Sequence, residues 1–343
     1  MTKNLLKMRI IIGTLFLIVI HTSIFADTCN LPFPQAQDYP YGLRPNNYTQ
    51  AQMNQHVQDW FDKWKAKYVA NYLTTANGMN NSWMEMDWYR IVRWETGSSD
   101  GPNDTVSEGI GYGMVVMVYM SSATNNTQDI FDGLYKFYQA YNSPHNPDLM
   151  DWKVRQNGSS IGQGAATDAD VDVAFALMMA EKQWGNSSGA FNYHNEAVRI
   201  INAMKASEFS AVGDVYPGDG WTDPKNPCYF TPAYLRMYAD YTGDTFWDSA
   251  AARSYNTFVK YYYNSSDTYD SGLGLYTGLQ PNWCGTNGGE SSPGDWSMSW
   301  NSYWWDACRV PWRQGYDYVL YGTLNHQLAL DNTARISEYF KAK

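Results

Sequence analysis

The chain has 343 residues and 44% hydrophobic content, enough for one large domain with a full core, and no linker-like, low-complexity or repeated segment divides it. Its formal net charge of -10 argues against nucleic acid or an anionic membrane as partner, since both reward clustered Lys and Arg; a neutral or cationic substrate fits better. Fifteen Trp and 28 Tyr suit an open surface that grips a polar ligand with apolar faces, as a sugar has.

Lys3, Lys7 and Arg9 precede an apolar run over residues 10–20, and a small-residue site follows at Ala26. That order is a secretory signal, so residues 1–26 are expected to be removed and 27–343 to form an exported domain, periplasmic or extracellular. The run is too short for a comfortable membrane span. Four cysteines remain: Cys29, Cys228, Cys284 and Cys308. None has metal-ligand spacing, and an oxidising compartment permits disulfides; Cys284 with Cys308, closing the loop before Asp306, is the preferred pair.

Residues 50–71 place Met53, Val57, Trp60, Phe61, Trp64 and Tyr68 at three- and four-residue spacing, an amphipathic helix expected to face inward as the first helix of a barrel. The run 107–120 is almost free of charge, whereas 129–141 mixes Asp and Lys with Phe131, Leu134, Phe137 and Tyr138. The alternation repeats with 171–180, apolar on all sides, and 193–209, one-sided. Further helices are expected at 232–241, 245–263, 306–321 and 333–342. Buried helices alternating with half-exposed ones imply two concentric layers, an α/α barrel. The Gly-, Asn- and Trp-rich loops 217–227 and 272–304 are natural cleft walls.

Three segments could carry chemistry. In Ser107-Glu108-Gly109-Ile110-Gly111-Tyr112-Gly113, each helical glycine costs about 1 kcal/mol relative to Ala, so three in five residues imply close approach of a backbone or a ligand. Glu108 is a first-turn carboxylate after a Ser107 cap on the bland reading; its expected burial among glycines and apolar neighbours favours a general acid. In Thr167-Asp168-Ala169-Asp170-Val171-Asp172, a Thr cap and first-turn acids make an ordinary helix start. The spacing does not fit an EF-hand, which wants Gly at its sixth place where Val173 stands and Glu at its twelfth where Met179 stands. In Trp304-Trp305-Asp306-Ala307-Cys308-Arg309, Asp306 and Arg309 form an ordinary helix ion pair or an oriented carboxylate beside a sugar platform. His56, His145, His194 and His326 are scattered, HExxH and G-x-S-x-G are missing, and neither metal nor cofactor is expected.

SEGIGYGM, ATDADVDVAFALMMAEKQWG and DACRVPWR, in that order, resemble the three hallmark segments of glycoside hydrolase family 8, the bacterial endoglucanase, xylanase and chitosanase group. The similarity runs from about Tyr48 to the end. It implies an all-α fold, an (α/α)6 barrel, in which Glu108 falls where the family keeps its general acid. Asp168 falls where a carboxylate positions the central sugar, and Asp306 where one branch keeps its base. Arg309 falls beside that base, Trp152 and Trp221 where cellulase members stack glucose rings, and Tyr112 lies in the acid's own segment as a substrate contact. About nine helices are read here, fewer than six hairpins need, so the last hairpins are expected to be absent. The implied function is a monomeric, secreted, inverting endo-β-1,4-glucanase acting on cellulose or mixed-linkage β-glucan. A xylanase or chitosanase of the family and a catalytically impaired glycan-binding fragment are the alternatives.

Overall fold

The computed structural model describes residues 29–343 apart from 41, 43, 75–79, 94–100, 102, 187–188, 265–268, 273–274, 286–301 and 323–325. The signal segment and much of the 272–304 loop therefore lie outside the described residues.

The charge-free run becomes α2 (Ser107–Met120), and the TDADVD segment opens α4 (Thr167–Trp184), whose side chains are buried on nearly every face. The two pack directly on each other. Gly111 permits this: a Cβ there would stand 2.9 Å from Ala169 O and 3.0 Å from Asp172 Cβ. Gly113 admits Ile91, whose Cγ1 would lie 2.8 Å from an added Cβ. A side chain at either place would drive the helices apart, which is why the sequence tolerates glycine's helix cost.

Outside this pair lie α3 (Gln128–Ala140) against α2 and α5 (Tyr193–Ser207) against α4. Both show the one-sided apolar stripe of an outer helix, with Phe131, Leu134 and Phe137 inward on α3 and Ile200, Ile201 and Met204 inward on α5. Two further hairpins follow, α6 (Pro232–Thr242) with α7 (Phe246–Asn264), and α8 (Val310–Tyr321) with α9 (His326–Ala342). α8 returns to α6, where the buried Arg236 Nε lies 3.0 Å from Asp317 Oδ1 and Tyr255 OH donates to Asp317 Oδ2 at 2.7 Å. The described residues thus form a predominantly helical, two-layer architecture of four hairpins.

α1 (Gln50–Tyr68) departs from expectation. Of its apolar stripe only Phe61 is buried, while Val57 and Trp60 are 47% and 69% exposed. Trp60 and Val57 border an apolar hollow with Val116, Tyr119 and Met120. The expected caps also differ. Ser107 and Thr167 are the first helical residues, neither preceding residue makes a side-chain cap, and the Thr167 hydroxyl donates instead to Tyr216 O at 2.8 Å.

All four cysteines are free thiols, so the expected Cys284–Cys308 disulfide is corrected. Cys284 is buried, with its backbone paired to Lys225, whereas Cys308 is exposed and its Sγ lies 2.9 Å from Trp305 O. The two side chains belong to different environments, one in the core and one at the cleft.

A small antiparallel sheet, in the order β1 (Thr105–Val106), β2 (Lys153–Val154), β3 (Ser160–Gly162), leads into the first turn of α2. Ser107 N donates to Trp152 O at 2.9 Å, which fixes the tryptophan beside Glu108's helix start.

Candidate active site

Three helix starts converge on one cleft of about 640 Å³. α2 brings Glu108 and Tyr112, α4 brings Asp168, and the 3-10 turn Ala307–Arg309 ahead of α8 brings Asp306 and Arg309. Carboxylates in first turns sit where the helix dipole favours negative charge, which offsets part of the cost of holding acids at the starts of α2 and α4.

Arg309 is the hub. Its Nη1 donates to Glu108 Oε1 at 2.5 Å, to Tyr112 OH at 3.0 Å and to Asp168 Oδ2 at 3.1 Å, while Nη2 donates to Asp306 Oδ1 at 2.8 Å. Glu108 and Asp306 thus reach opposite nitrogens of one planar fork. That sets an upper limit of roughly 8 Å on the separation of those two oxygens, compatible with the ~6.5–9.5 Å an acid and base need when a water must fit between them.

Exposure separates the acids. The Asp168 side chain is 4% exposed, whereas Glu108 is 36% and Asp306 30% exposed. The expectation that Glu108 is buried is corrected: it opens onto the cleft, and Asp168 is the desolvated group. Burial drives the Asp168 carboxyl well above the usual carboxylate range, the neighbouring Glu108 adds to this, and Arg309 opposes it. The guanidinium of Arg309 is held protonated by these carboxylates against its own burial.

Donors reach both oxygens of Asp306, because Asn226 Nδ2 donates to Oδ2 at 2.9 Å. Asn226 is itself fixed, its Oδ1 accepting from Cys228 N at 3.1 Å. A deeper rung repeats the pattern one helical turn on: Arg313 Nη1 and Nη2 donate to Asp172 Oδ1 and Oδ2 at 3.0 and 2.9 Å, with both side chains buried. Arg309 with Asp168 and Arg313 with Asp172 make a two-rung ladder between α8 and α4.

Trp152 borders the cleft at 37% exposure, its indole seated over Gly162, where a Cβ would stand 2.5 Å from Nε1. Trp305 and Tyr229 complete the aromatic rim. Trp221 does not line this cavity; it packs with Trp283 at 5.9 Å between ring centroids, on the loop that carries Asn226. Sequence reasoning therefore gathered six of its seven site residues. It missed Asn226, Tyr229 and the Asp172–Arg313 rung, although the rung's signal was present as an acid and an arginine each repeated at four-residue spacing.

Carboxylates facing one another across an aromatic-rimmed cleft are an arrangement that suits hydrolysis of a glycosidic bond. Residues 31–342 match the profile of glycosyl hydrolases family 8, and the chain belongs to that family. It is 34% identical over 331 residues to Endoglucanase 2 of Ruminiclostridium josui, covering 94% of this chain and 63% of the relative. It is 35% identical over 314 residues to an endoglucanase of Bacillus sp. strain KSM-330, covering 88% and 64%. The chain thus spans somewhat less than two thirds of the length of these relatives. Among solved structures, a beta-1,3-1,4-glucanase from Paenibacillus sp. X4 superposes with a TM-score of 0.77 at 31% identity, covering 91% of this chain and 78% of that one. Rex8A from Paenibacillus barcinonensis superposes at 0.67 with 19% identity over 85% and 73%, a likeness of fold.

Proposed function

We propose that this chain is an inverting, endo-acting β-glucanase cleaving β-1,4 bonds of cellulose or mixed-linkage glucan, exported by its N-terminal segment and monomeric. The observation that carries this reading is the Glu108–Arg309–Asp306 arrangement at the floor of the cleft. The glucanase and endoglucanase names of its relatives support the choice of β-glucan, and closure of the helices into an (α/α)6 barrel belongs to the same proposal.

Glu108, the more open carboxyl, protonates the leaving glycosidic oxygen. Asp306, with donors on both oxygens, keeps lone pairs for a water and takes its proton as that water attacks the anomeric carbon from the opposite face. Asp168 accepts hydrogen bonds from the hydroxyls of the central sugar, and burial makes each such bond stronger than it would be in water. Arg309 holds the trio apart and in register, Tyr112 braces Arg309, and Trp152 stacks a glucose ring. Trp221 with Trp283 offers a further platform beyond the central cleft.

The test compares carboxymethylcellulose, lichenan, xylan and chitosan with the purified chain. Cleavage of the two glucans is expected, with the α-anomer appearing first by NMR; cleavage of xylan alone overturns the reading. Glu108→Gln is expected to lower kcat by roughly 10²–10⁴-fold while leaving glucan affinity in place. A wild-type chain that binds glucan but releases no reducing ends defeats the enzyme reading.

A further inference from the structure

Behind the cleft, two residues along α4 from Asp168, lies a second acidic pair that the proposed chemistry does not use. Asp170 and Glu208 are both 0% exposed. Glu208 follows the last turn of α5, where its N–H donates to Met204 O, and its carboxyl faces Asp170. The strongest influences on the pair are all neutral or acidic: the Tyr138 phenol from α3, the Thr167 hydroxyl from α4, Asp219 from the 217–227 loop, and each other. The Tyr238 phenol of α6 also stands within their electrostatic reach, but its own donor goes to Val171 O at 2.5 Å.

Hydrogen-bond accounting decides the state of this pair. Tyr138 OH donates to Asp170 Oδ1. Asp170 Oδ2 and both Glu208 oxygens have no donor among the described residues. The Thr167 hydroxyl, which donates to Tyr216 O at 2.8 Å, also lies within hydrogen-bonding reach of Glu208 and opposes the rise of its pKa. Two ionised carboxylates facing each other in the interior, with no cation beside them among the described residues, repel strongly, whereas one hydrogen placed between them gives Asp170 Oδ2 a donor and one Glu208 oxygen an acceptor.

The pair is joined to the site by backbone. Tyr216 N donates to Glu208 O at 2.8 Å, and Thr167 N to Pro217 O at 3.2 Å. Asp219, on the same loop, receives Ala165 N at 2.8 Å. Glu208 therefore sits under the turn that aims Asp168.

We propose that Glu208 is a positioning residue held as a carboxylic acid, donating its hydrogen to Asp170 Oδ2, so that the end of α5 is tied to the first turn of α4 and the direction of Asp168 into the cleft is fixed. The role of Asp168 in this statement rests on the proposed glucanase function; the protonated pair does not. Burial pushes both carboxyls up, Asp170 to about 7 and Glu208 well above the usual range; Asp170 raises Glu208 further, whereas hydrogen bonds from Tyr138 and Glu208 pull Asp170 back down. An acid whose folded pKa is raised adds stability that is complete below its unfolded value and is lost as pH climbs through the folded one.

Infrared difference spectroscopy on the full chain in D2O tests the pair without substrate. At neutral pH the wild type is expected to show the carbonyl band of a buried carboxylic acid, and Glu208→Gln to lose it; a band of unchanged intensity in E208Q overturns the proposal. The melting temperature of the wild type is expected to fall as pH rises above the ordinary carboxylate range, with a shallower fall in E208Q; identical slopes count against it. Positioning is read on kinetics. Glu208→Met removes the donor and is expected to lower kcat on the order of tenfold with KM within twofold, while E208Q, whose amide can still donate, stays within about threefold of wild type. A folded E208M with wild-type kcat refutes the positioning role. A chain inactive on every glycan refutes the glucanase reading and leaves the carboxyl pair to be judged by its infrared band.

Discussion

Replacing Arg313 by methionine isolates the deep rung of the ladder between α8 and α4. Both partners are almost completely buried, and the two hydrogen bonds at 3.0 and 2.9 Å form a bidentate fork. Removing the arginine leaves the Asp172 carboxylate in the core without its counter-charge, and breaking a buried pair from one side costs ~3–5 kcal/mol. At the ~2 °C per kcal/mol suited to a large domain, the melting temperature is expected to drop by roughly 6–10 °C. Removing both charges is a different perturbation. Asp172→Asn with Arg313→Met exchanges the ion pair for neutral groups of similar volume, so the double variant is expected to recover at least half of the single variant's loss. Thermal unfolding followed by circular dichroism in the same buffer gives the three differences needed. An R313M chain within about 1 kcal/mol of wild type, or a double variant less stable than the single, would refute the claim that this rung closes α8 onto α4.

Three further outcomes follow from the geometry. Gly111→Ala places a methyl 2.9 Å from Ala169 O; the expected loss is about 1–3 kcal/mol, with a fall in kcat because Glu108 and Asp168 ride on the two helices forced apart, and a G111A chain of unchanged stability contradicts the packing described. Asn226→Ala strips one of the two donors from Asp306, and a roughly tenfold lower kcat/KM is expected from a misplaced base, measured by reducing-end release. Asp168 carries a raised carboxyl pKa through burial and Glu108, so its contribution to stability is full at acid pH and declines as pH rises past the ordinary carboxylate value of 3.8; Asp168→Asn is expected to flatten that part of the melting-temperature profile between acid and neutral pH.

The sequence was most legible where chemistry and periodicity agreed. The run at 107–120, with Glu108 its one charge, is α2 from end to end, because apolar residues fill its turns and leave no polar stretch to blur its limits. α4 opens at Thr167, where the cap and first-turn acids mark a helix start, and runs to Trp184, past the apolar stretch 171–180; Asp168, an ordinary first-turn acid by sequence, answers Arg309 141 residues away. The same distance hid the Asp172–Arg313 rung. α1 was misjudged because an apolar stripe says that a helix can be covered, not that it is. Glu108, Tyr112, Asp168, Asp306 and Arg309 lie in motifs tied to helix starts, and Trp152 stands ahead of a strand where only the family resemblance marks it, whereas Asn226 sits in an irregular loop where an Asn before Pro reads as a turn residue. The disulfide expectation failed because loop closure along the chain says nothing about where two side chains point.

Arg309 reaches Asp168 across 141 positions of the polypeptide, and this imposes an order of events at synthesis. Glu108 and Asp168 leave the ribosome long before the guanidinium that will neutralise them. A nascent chain holding only the first two hairpins carries an acidic pair that must stay hydrated or hold protons, so that part of the helical core cannot dry out early. Arrival of the 3-10 turn and α8 supplies the missing cation and a further wall of the cleft together, so the cleft floor closes only after residues 306–321 have followed the first two hairpins out.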